Sequence, residues 1–363
     1  MDFKLPEFVY PDFTDDKFSN SKQVSFKEAE QDGIAPDNYY LTTHLPTFYY
    51  YKEEWILPKL NSLNCVAVLE GDNIKIIELR NIKKGDQIVI GRSTDGSNGV
   101  FVHHNGFPDS VPSIPGKSAE TSFSEDYEVL FKLMKHEREH GGYIVWILGP
   151  SVIFDHDTRV SLNKLVKAGY IHCVLAGNAM ATHDLEGGFL QTALGQNIYT
   201  QENVPLGHYN HLDLLNEVRS AGSIKEFIAQ GHVKDGFIKT LTEMNVPYVL
   251  AGSIRDDGPL PEVYGDTEKA LDETRKHLDQ ATVIIGLATM LHTISAAHIA
   301  PSYRVRTDGR ISPVYMYAVD ITENVANKIG GVRDFIGFRP MITNVQDFVV
   351  NCERALVEDK GEI

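Results

Sequence analysis

The sequence predicts an α/β fold in which a mostly parallel, doubly wound sheet is preceded by a small β-rich domain. Three observations predict it. From about residue 124 onward, apolar runs of five to eight residues alternate with amphipathic stretches of helical period. That pattern belongs to a parallel sheet covered by helices on both faces. Between about 36 and 108 the texture is short segments rich in β-branched and aromatic residues, with Gly71-Asp72-Asn73 as a hairpin turn. Residues 109–123 contain the Pro, Ser and Gly of a linker, the best domain boundary in the chain.

The elements follow in order. Residues 1–35 are polar and charged, with scattered aromatics and no sustained period, which predicts an extended N-terminal arm able to dock on another subunit. YYLTTHLPTFYYY and CVAVLEGDNIKIIEL read as strands, and NIKKGDQIVIG places a turn before another strand. His103 and His104, in a glycine-bounded turn, are expected at the surface. In the α/β domain, 124–363, SEDYEVLFKLMKHEREHGG is a helix with Ser124 as its cap, YIVWILGP a buried strand and DTRVSLNKLVKAG a helix. IHCVLAGNA is a strand, HLDLLNEVRSAG and SIKEFIAQG are helices, and VPYVLAGSIRDDGP is a strand with a loop. TEKALDETRKHLDQA is a helix, TVIIGLATM a strand, and VYMYAVDI the last strand expected, leading into a short helix.

Composition narrows the function. A formal net charge of -16 opposes binding to nucleic acid and to anionic membranes. Cys65, Cys173 and Cys352 are far apart and form no CxxC pair, which suits a reducing cytoplasm; Cys173, inside IHCVLAG, reads as a small core residue. The N-terminus lacks the basic start and apolar core of a signal peptide. The most apolar long stretch, 281–301, contains His292 and His298 and reads as a buried strand followed by a buried helix rather than a bilayer span.

In an open parallel sheet, ligands bind beyond the carboxyl ends of the strands. Here those ends carry Gly149-Pro150-Ser151, Gly177-Asn178-Ala179, Gly252-Ser253, Ala288-Thr289-Met290 and Asp320. Small residues there let a pyrophosphate approach free backbone N–H groups, as NAD requires, although no GxGxxG follows any strand. Tight turns alone also call for glycine at such places. Asp320 is placed either to hold an adenosine ribose or to cap the following helix. In the densest charged cluster, SIRDDGPLPE, Arg255 suits a carboxylate clamp, and Asp256 or Asp257 suits a substrate ammonium or a general base. The alternative there is mutual pairing within a turn. His183 and Asp184 are candidates for a proton relay, and His208 and Asn210 for positioning substrate or cofactor. Lys225 is a weaker basic candidate, read mainly as a solvated helix residue. The i, i+3 pair His208 and His211 offers too few ligands for zinc.

The segments GGYIVWILGPSV, VLAGNAMATHDLEG, GHYNHLDLLNEVRSAGSIKEFI, NVPYVLAGSIRDDGPLPEV and LATMLHTISAAH closely resemble the LOR/SDH domain family. That family includes archaeal-type ornithine cyclodeaminases and the C-terminal module of cyanobacterial arginine dihydrolase/ornithine cyclodeaminases. The resemblance extends over roughly residues 36–356, taking in NYYLTTHLPTFYYYKEEW and IKKGDQIVIG. Two segments depart from it: GPSVIFDHD stands where the family tends to read GPAVVHTG, and SYRVRTDGRISPVY is inserted before VYMYAVDI. The resemblance implies an NAD-dependent enzyme that converts ornithine to proline and ammonia, and the N-terminal arm adds the expectation of a homo-oligomer. Hydride leaves Cα for bound NAD+, the δ-amine closes on the resulting imine, ammonia departs and the hydride returns. Arg255 is then the carboxylate clamp, Asp256 or Asp257 the partner of the amines, and His183 or Asp184 the proton acceptor. Two alternatives remain open at this stage. One is an amino-acid or opine-type dehydrogenase, or a cyclodeaminase of another diamino acid. The other is a non-catalytic nucleotide- or amino-acid-binding protein.

Overall fold

The computed structural model describes residues 4–107, 125–256, 258–333 and 337–358. Ser124 and the expected linker 109–123 lie outside the described residues. The β-rich unit contains β1 (Ser25–Glu28), β2 (Thr47–Tyr51), β3 (Glu54–Ile56), β4 (Cys65–Glu70), β5 (Asn73–Glu78), β6 (Gln87–Ile90) and β7 (Val100–Val102). Two antiparallel sheets form, in the orders β1-β6-β4-β5 and β3-β2-β7. The hairpin of β4 and β5 closes where Gly71 adopts φ 64, a left-handed turn position that suits glycine.

The N-terminal segment lies along this unit of its own chain. Ser25–Glu28 adds a strand to β6, Phe13 stacks on Trp55 with ring centroids 4.6 Å apart, and Phe8 packs edge-on to Phe107. His103 corrects the surface expectation. It is buried against Phe8, Phe48 and Phe101, with Nε2 2.7 Å from the Val9 carbonyl oxygen. Sequence alone does not show that the N-terminal segment folds back over this turn.

The second unit begins with α1 (Glu125–Glu139), β8 (Ile144–Leu148), α2 (His156–Lys167), β9 (Cys173–Gly177) and α3 (Asn178–Leu190). A two-residue hairpin, β10 (Thr192–Ala193) and β11 (Gln196–Asn197), precedes α4 (Asn210–Ala221), α5 (Ile224–Ala229), α6 (Phe237–Glu243) and β12 (Tyr248–Ala251). Then come α7 (Thr267–Leu278), β13 (Val283–Leu287) and α8 (Met290–Ile299). The hairpin of β14 (Tyr303–Val305) and β15 (Ile311–Pro313) leads to β16 (Tyr315–Asp320), α9 (Asn324–Arg333), β17 (Phe338–Ile342) and α10 (Val345–Glu353).

Six strands form one parallel sheet in the order β12-β9-β8-β13-β16-β17. Counted along the chain this is 3-2-1-4-5-6, the order of dinucleotide-binding folds. The strands are apolar throughout because both faces are covered. Ile144, Trp146 and Leu148 point into a core with α1, α2 and α10, while Val145 and Ile147 point into a core with α7, α8 and α9. The sixth strand corrects the expectation that VYMYAVDI is the last. FRPMI holds Arg339 and Pro340, which break its apolar pattern, and it survives as a strand because it lies at the sheet edge, where proline is tolerated. Cys173 and Cys352 are fully buried, and burial pushes the Cys65 and Cys173 thiols up to about 11 and about 12.

Candidate active site

The strand order reverses between β8 and β13, so the loops after these two strands diverge and leave a crevice at their carboxyl ends. A cavity of about 690 Å³ occupies it. Pro150 and Ser151 line it after β8, Gly177, Asn178 and Ala179 after β9, Ser253, Arg255 and Asp256 after β12, and Ala288 and Thr289 after β13. Phe154, Leu194, Leu215 and Leu291 add apolar wall. A second cavity, about 560 Å³, opens near Lys4, His136 and Arg310, far from the strand ends. Two of its cations are already paired, Arg306 with Glu137 and Arg310 with Asp308.

The backbone at the crevice is unusually tight. A Cβ on Gly149 would collide with the Ala288 carbonyl oxygen, and one on Gly177 would sit 3.2 Å from His292 Cε1. Ala288 itself is left-handed, with φ 48, a conformation that costs an alanine about 1–3 kcal/mol. Helix starts differ around the molecule. Asp155, Ser223, Asp266 and Asn344 cap α2, α5, α7 and α10 with their side chains. No side chain caps α3 or α8, whose first turns supply Asn178, Ala179, Leu291 and His292 to the cavity. Helix starts left uncapped beside a cavity suit an anion such as the pyrophosphate of a dinucleotide.

The loop after β12 is held from three sides. Asn178 Oδ1 accepts from Leu260 N at 2.9 Å, the Arg219 guanidinium donates to Pro259 O at 3.3 and 3.1 Å, and Glu262 accepts from Ile224 N at 2.6 Å. Asp256 closes the loop on itself by accepting from Ser253 N at 2.8 Å, leaving its other oxygen for the cavity. Arg255 is exposed, lines the cavity, and its guanidinium has no partner among the described residues. Asp257 lies outside the described residues.

Not every expected residue comes to the cavity. His183 lines it, on α3, but Asp184 does not. Asp184 is fully buried, accepts from Arg159 Nε at 2.9 Å and from Ile238 N at 2.7 Å, and so ties α2 and α6 to α3. His208 lies in the turn before α4, Asn210 donates to Thr192 Oγ1 at 2.8 Å, and neither lines the cavity. Asp320 ends β16, one strand beyond β13, and accepts from Thr322 N at 3.2 Å in a turn that precedes α9. Met290 starts α8 but points away, Leu291 lining the cavity in its place, and Lys225 is exposed on α5. Sequence reasoning missed His292, His211 and Thr182 in the lining. For His292 a signal existed, since a histidine in the first turn after an apolar strand interrupts an otherwise apolar run. Burial pushes its imidazole below the usual histidine range.

Fold and site together define an α/β protein of the dinucleotide-binding type, with a small-molecule cavity at the topological switch point. Residues 128–336 match the family described as arginine dihydrolase ArgZ-like, C-terminal, Rossmann fold. The ornithine cyclodeaminase of Methanocaldococcus jannaschii is 34% identical over 337 residues, which cover 88% of this chain and 77% of that protein. A conserved LOR/SDH protein from Methanococcus maripaludis superposes with a TM-score of 0.78 at 31% identity, over 93% of this chain and 98% of that one. The complex of AgrE with ornithine and NAD+ superposes with a TM-score of 0.58 at 27% identity, over 94% of this chain and 47% of that one. The chain belongs to the ArgZ-like Rossmann family, and archaeal ornithine cyclodeaminases are among the proteins it is similar to.

Proposed function

We propose that the chain is an NAD-dependent ornithine cyclodeaminase that converts L-ornithine to L-proline and ammonia. The observation that carries the reading is the conjunction, in one cavity, of two uncapped helix starts with a carboxylate and an arginine unpartnered among the described residues. The relatives named above support it, one of them being a protein seen with ornithine and NAD+. NAD, when bound, supplies a reversible hydride acceptor, so the overall reaction consumes no oxidant. The chain's own residues bind, orient and exclude water.

The cofactor sits against Gly149, Pro150 and Ser151, Gly177, Asn178 and Ala179, and Ser253, with Ala288 and Thr289 on the far side of the switch point. Arg255 clamps the substrate carboxylate, and with no partner among the described residues its guanidinium donors are available for that task. The free oxygen of Asp256 faces the amines, and Asp257, in the same loop, is the second candidate. His183 accepts and returns protons. The three buried cysteines and a net charge of -16 support a cytoplasmic enzyme of amino-acid metabolism, a lyase of proline biosynthesis, that binds no nucleic acid. No described helix is long and apolar enough to cross a membrane. Exposed Leu194, Leu206, Tyr209 and Leu212 support a homo-oligomer.

The test is incubation of purified protein with L-ornithine and catalytic NAD+, following proline, ammonia and absorbance at the NADH band. Equal proline and ammonia without NADH accumulation is the expected result. Steady NADH production would move the protein to the amino-acid dehydrogenases, and NAD binding without turnover would leave the cofactor site and remove the substrate.

A further inference from the structure

Helix α3 carries two fully buried acids two residues apart, and they are treated in opposite ways. Asp184 meets a permanent cation, Arg159, which also pairs with Asp235. Glu186 meets none. Its Oε2 lies 2.8 Å from His183 Nδ1, and its Oε1 accepts from Thr192 Oγ1 at 2.7 Å. Thr192 Oγ1 in turn accepts from Asn210 Nδ2 at 2.8 Å. Among the described residues the sole titratable partner of Glu186 is therefore a histidine that lines the cavity. His183 Nδ1 is taken by Glu186, and Nε2 has no partner among the described residues, so Nε2 is the ring nitrogen left for a ligand. Phe154 packs edge-on against this ring, 5.6 Å between centroids, and fixes its plane. A buried carboxylate without a permanent cation is costly, and such arrangements persist where a proton has to be handled.

We propose that Glu186 is a positioning residue for His183, holding its Nδ1–H so that a basic Nε2 faces the substrate amines. The inference rests on the cyclodeaminase reading and deepens it. Ornithine enters as a cation, and proline and ammonium leave, so protons only move within the site. His183 Nε2 takes one proton from the α-ammonium, the positive imidazolium is balanced by Glu186, and the proton returns to the departing ammonia as ammonium. Thr192 and Asn210 hold Glu186 in place from the β10 hairpin and α4. This gives Asn210 a role through the network rather than at the substrate. Other titratable or charged groups around the ring are His211 on α4, with ring centroids 6.1 Å apart, Arg255 and Asp256 after β12, and His292 on α8.

The first measurement is 15N-resolved histidine spectroscopy on the cofactor-free protein, with the His183 resonance assigned from H183Q. The expected result is the tautomer with Nδ1–H and a free Nε2, lost or mixed in E186Q. Kinetics follow with ornithine. E186Q should lower kcat about 10–100-fold with KM within about threefold, the usual effect of removing an orienting partner. E186D should recover part of the loss. The double variant H183Q/E186Q should be no slower than H183Q alone, because the glutamate acts only through the histidine. A wild-type His183 carrying its proton on Nε2, or losses in the double variant that multiply, would overturn the proposal. So would an E186Q protein that melts lower but turns over normally. If the wild type does not convert ornithine, the parent reading fails, while the tautomer still decides the Glu186–His183 relation.

Discussion

The two ends of the same six strands are built to different rules. At the amino ends polar groups pair across segments to hold the strands together. Tyr143 N donates to Thr282 Oγ1 at 3.0 Å, Trp146 Nε1 to Tyr170 O at 3.0 Å, and Ile144 N to His172 Nδ1 at 3.1 Å. At the carboxyl ends Ala288 is left-handed, α3 and α8 start uncapped, and Arg255 is unpartnered among the described residues. The difference teaches where stability and function divide. One end spends its polar groups on the fold, and the other keeps them available for a ligand, as functional sites generally do.

The largest expected effect comes from the support beneath the cavity. Arg159→Ala leaves Asp184 buried without its cation and should cost about 3–5 kcal/mol in urea unfolding. Asp184→Ala should be nearly as destabilising, with turnover per folded molecule preserved. A stable D184A protein that has lost turnover would instead return Asp184 to the chemistry. Next comes Gly149→Ala. The added methyl collides with the Ala288 carbonyl and must push the β8 and β13 loops apart, for about 1–3 kcal/mol of strain. NAD affinity measured by calorimetry should fall at least about tenfold, since one RT-scaled tenfold step is about 1.4 kcal/mol. Retained affinity would mean the cofactor does not use this crossing.

Arg255→Ala sharpens the contrast from the other side. Losing a charge-assisted pair to a carboxylate is worth about 1.5–3 kcal/mol, or about 10–100-fold in kcat/KM for ornithine. Melting should stay within about 0.5 kcal/mol of wild type, because the side chain is exposed and its guanidinium has no polar partner among the described residues. NAD binding should be spared. A large stability loss or unchanged kinetics would remove Arg255 as the clamp.

What the sequence made legible follows the same division. The strands were readable because both faces are buried, so each is a near-continuous apolar run, as in IVWIL and VIIGL. Small residues after the strands marked the crevice, and Arg255 and Asp256 stood out as charges in a loop at a strand end. Less visible was FRPMI, whose edge position lets polar residues and proline replace the apolar pattern. THDLE could not be divided into its parts either. Only the fold shows that Asp184 turns to Arg159 while Glu186 turns to His183, because the deciding partners, Arg159 and Thr192, come from other segments. His103 failed for the same reason, its partner Val9 lying far away in sequence.

The smallest effect tests the amino end through pH. His172 Nδ1 accepts from the Ile144 backbone N–H, so it must stay unprotonated, and burial holds its pKa below the usual imidazole range. The unfolded chain then binds the proton more readily than the native one. The stability contribution is complete above about pH 6.5 and is lost as pH falls toward the lower folded value. Tyr143 packs its ring beside it and stacks in turn on His277, whose imidazole is likewise held below its usual range by burial. Because several histidines share this direction, the useful quantity is the difference between wild type and His172→Asn. Asparagine keeps an acceptor for Ile144 N–H and removes one titration, so its stability should fall less steeply between pH 7 and 5. Turnover at neutral pH should not change, since this end of the sheet holds no substrate. Parallel pH curves for the two proteins would show that His172 carries no linked proton, and a loss of turnover would break the division between the two ends.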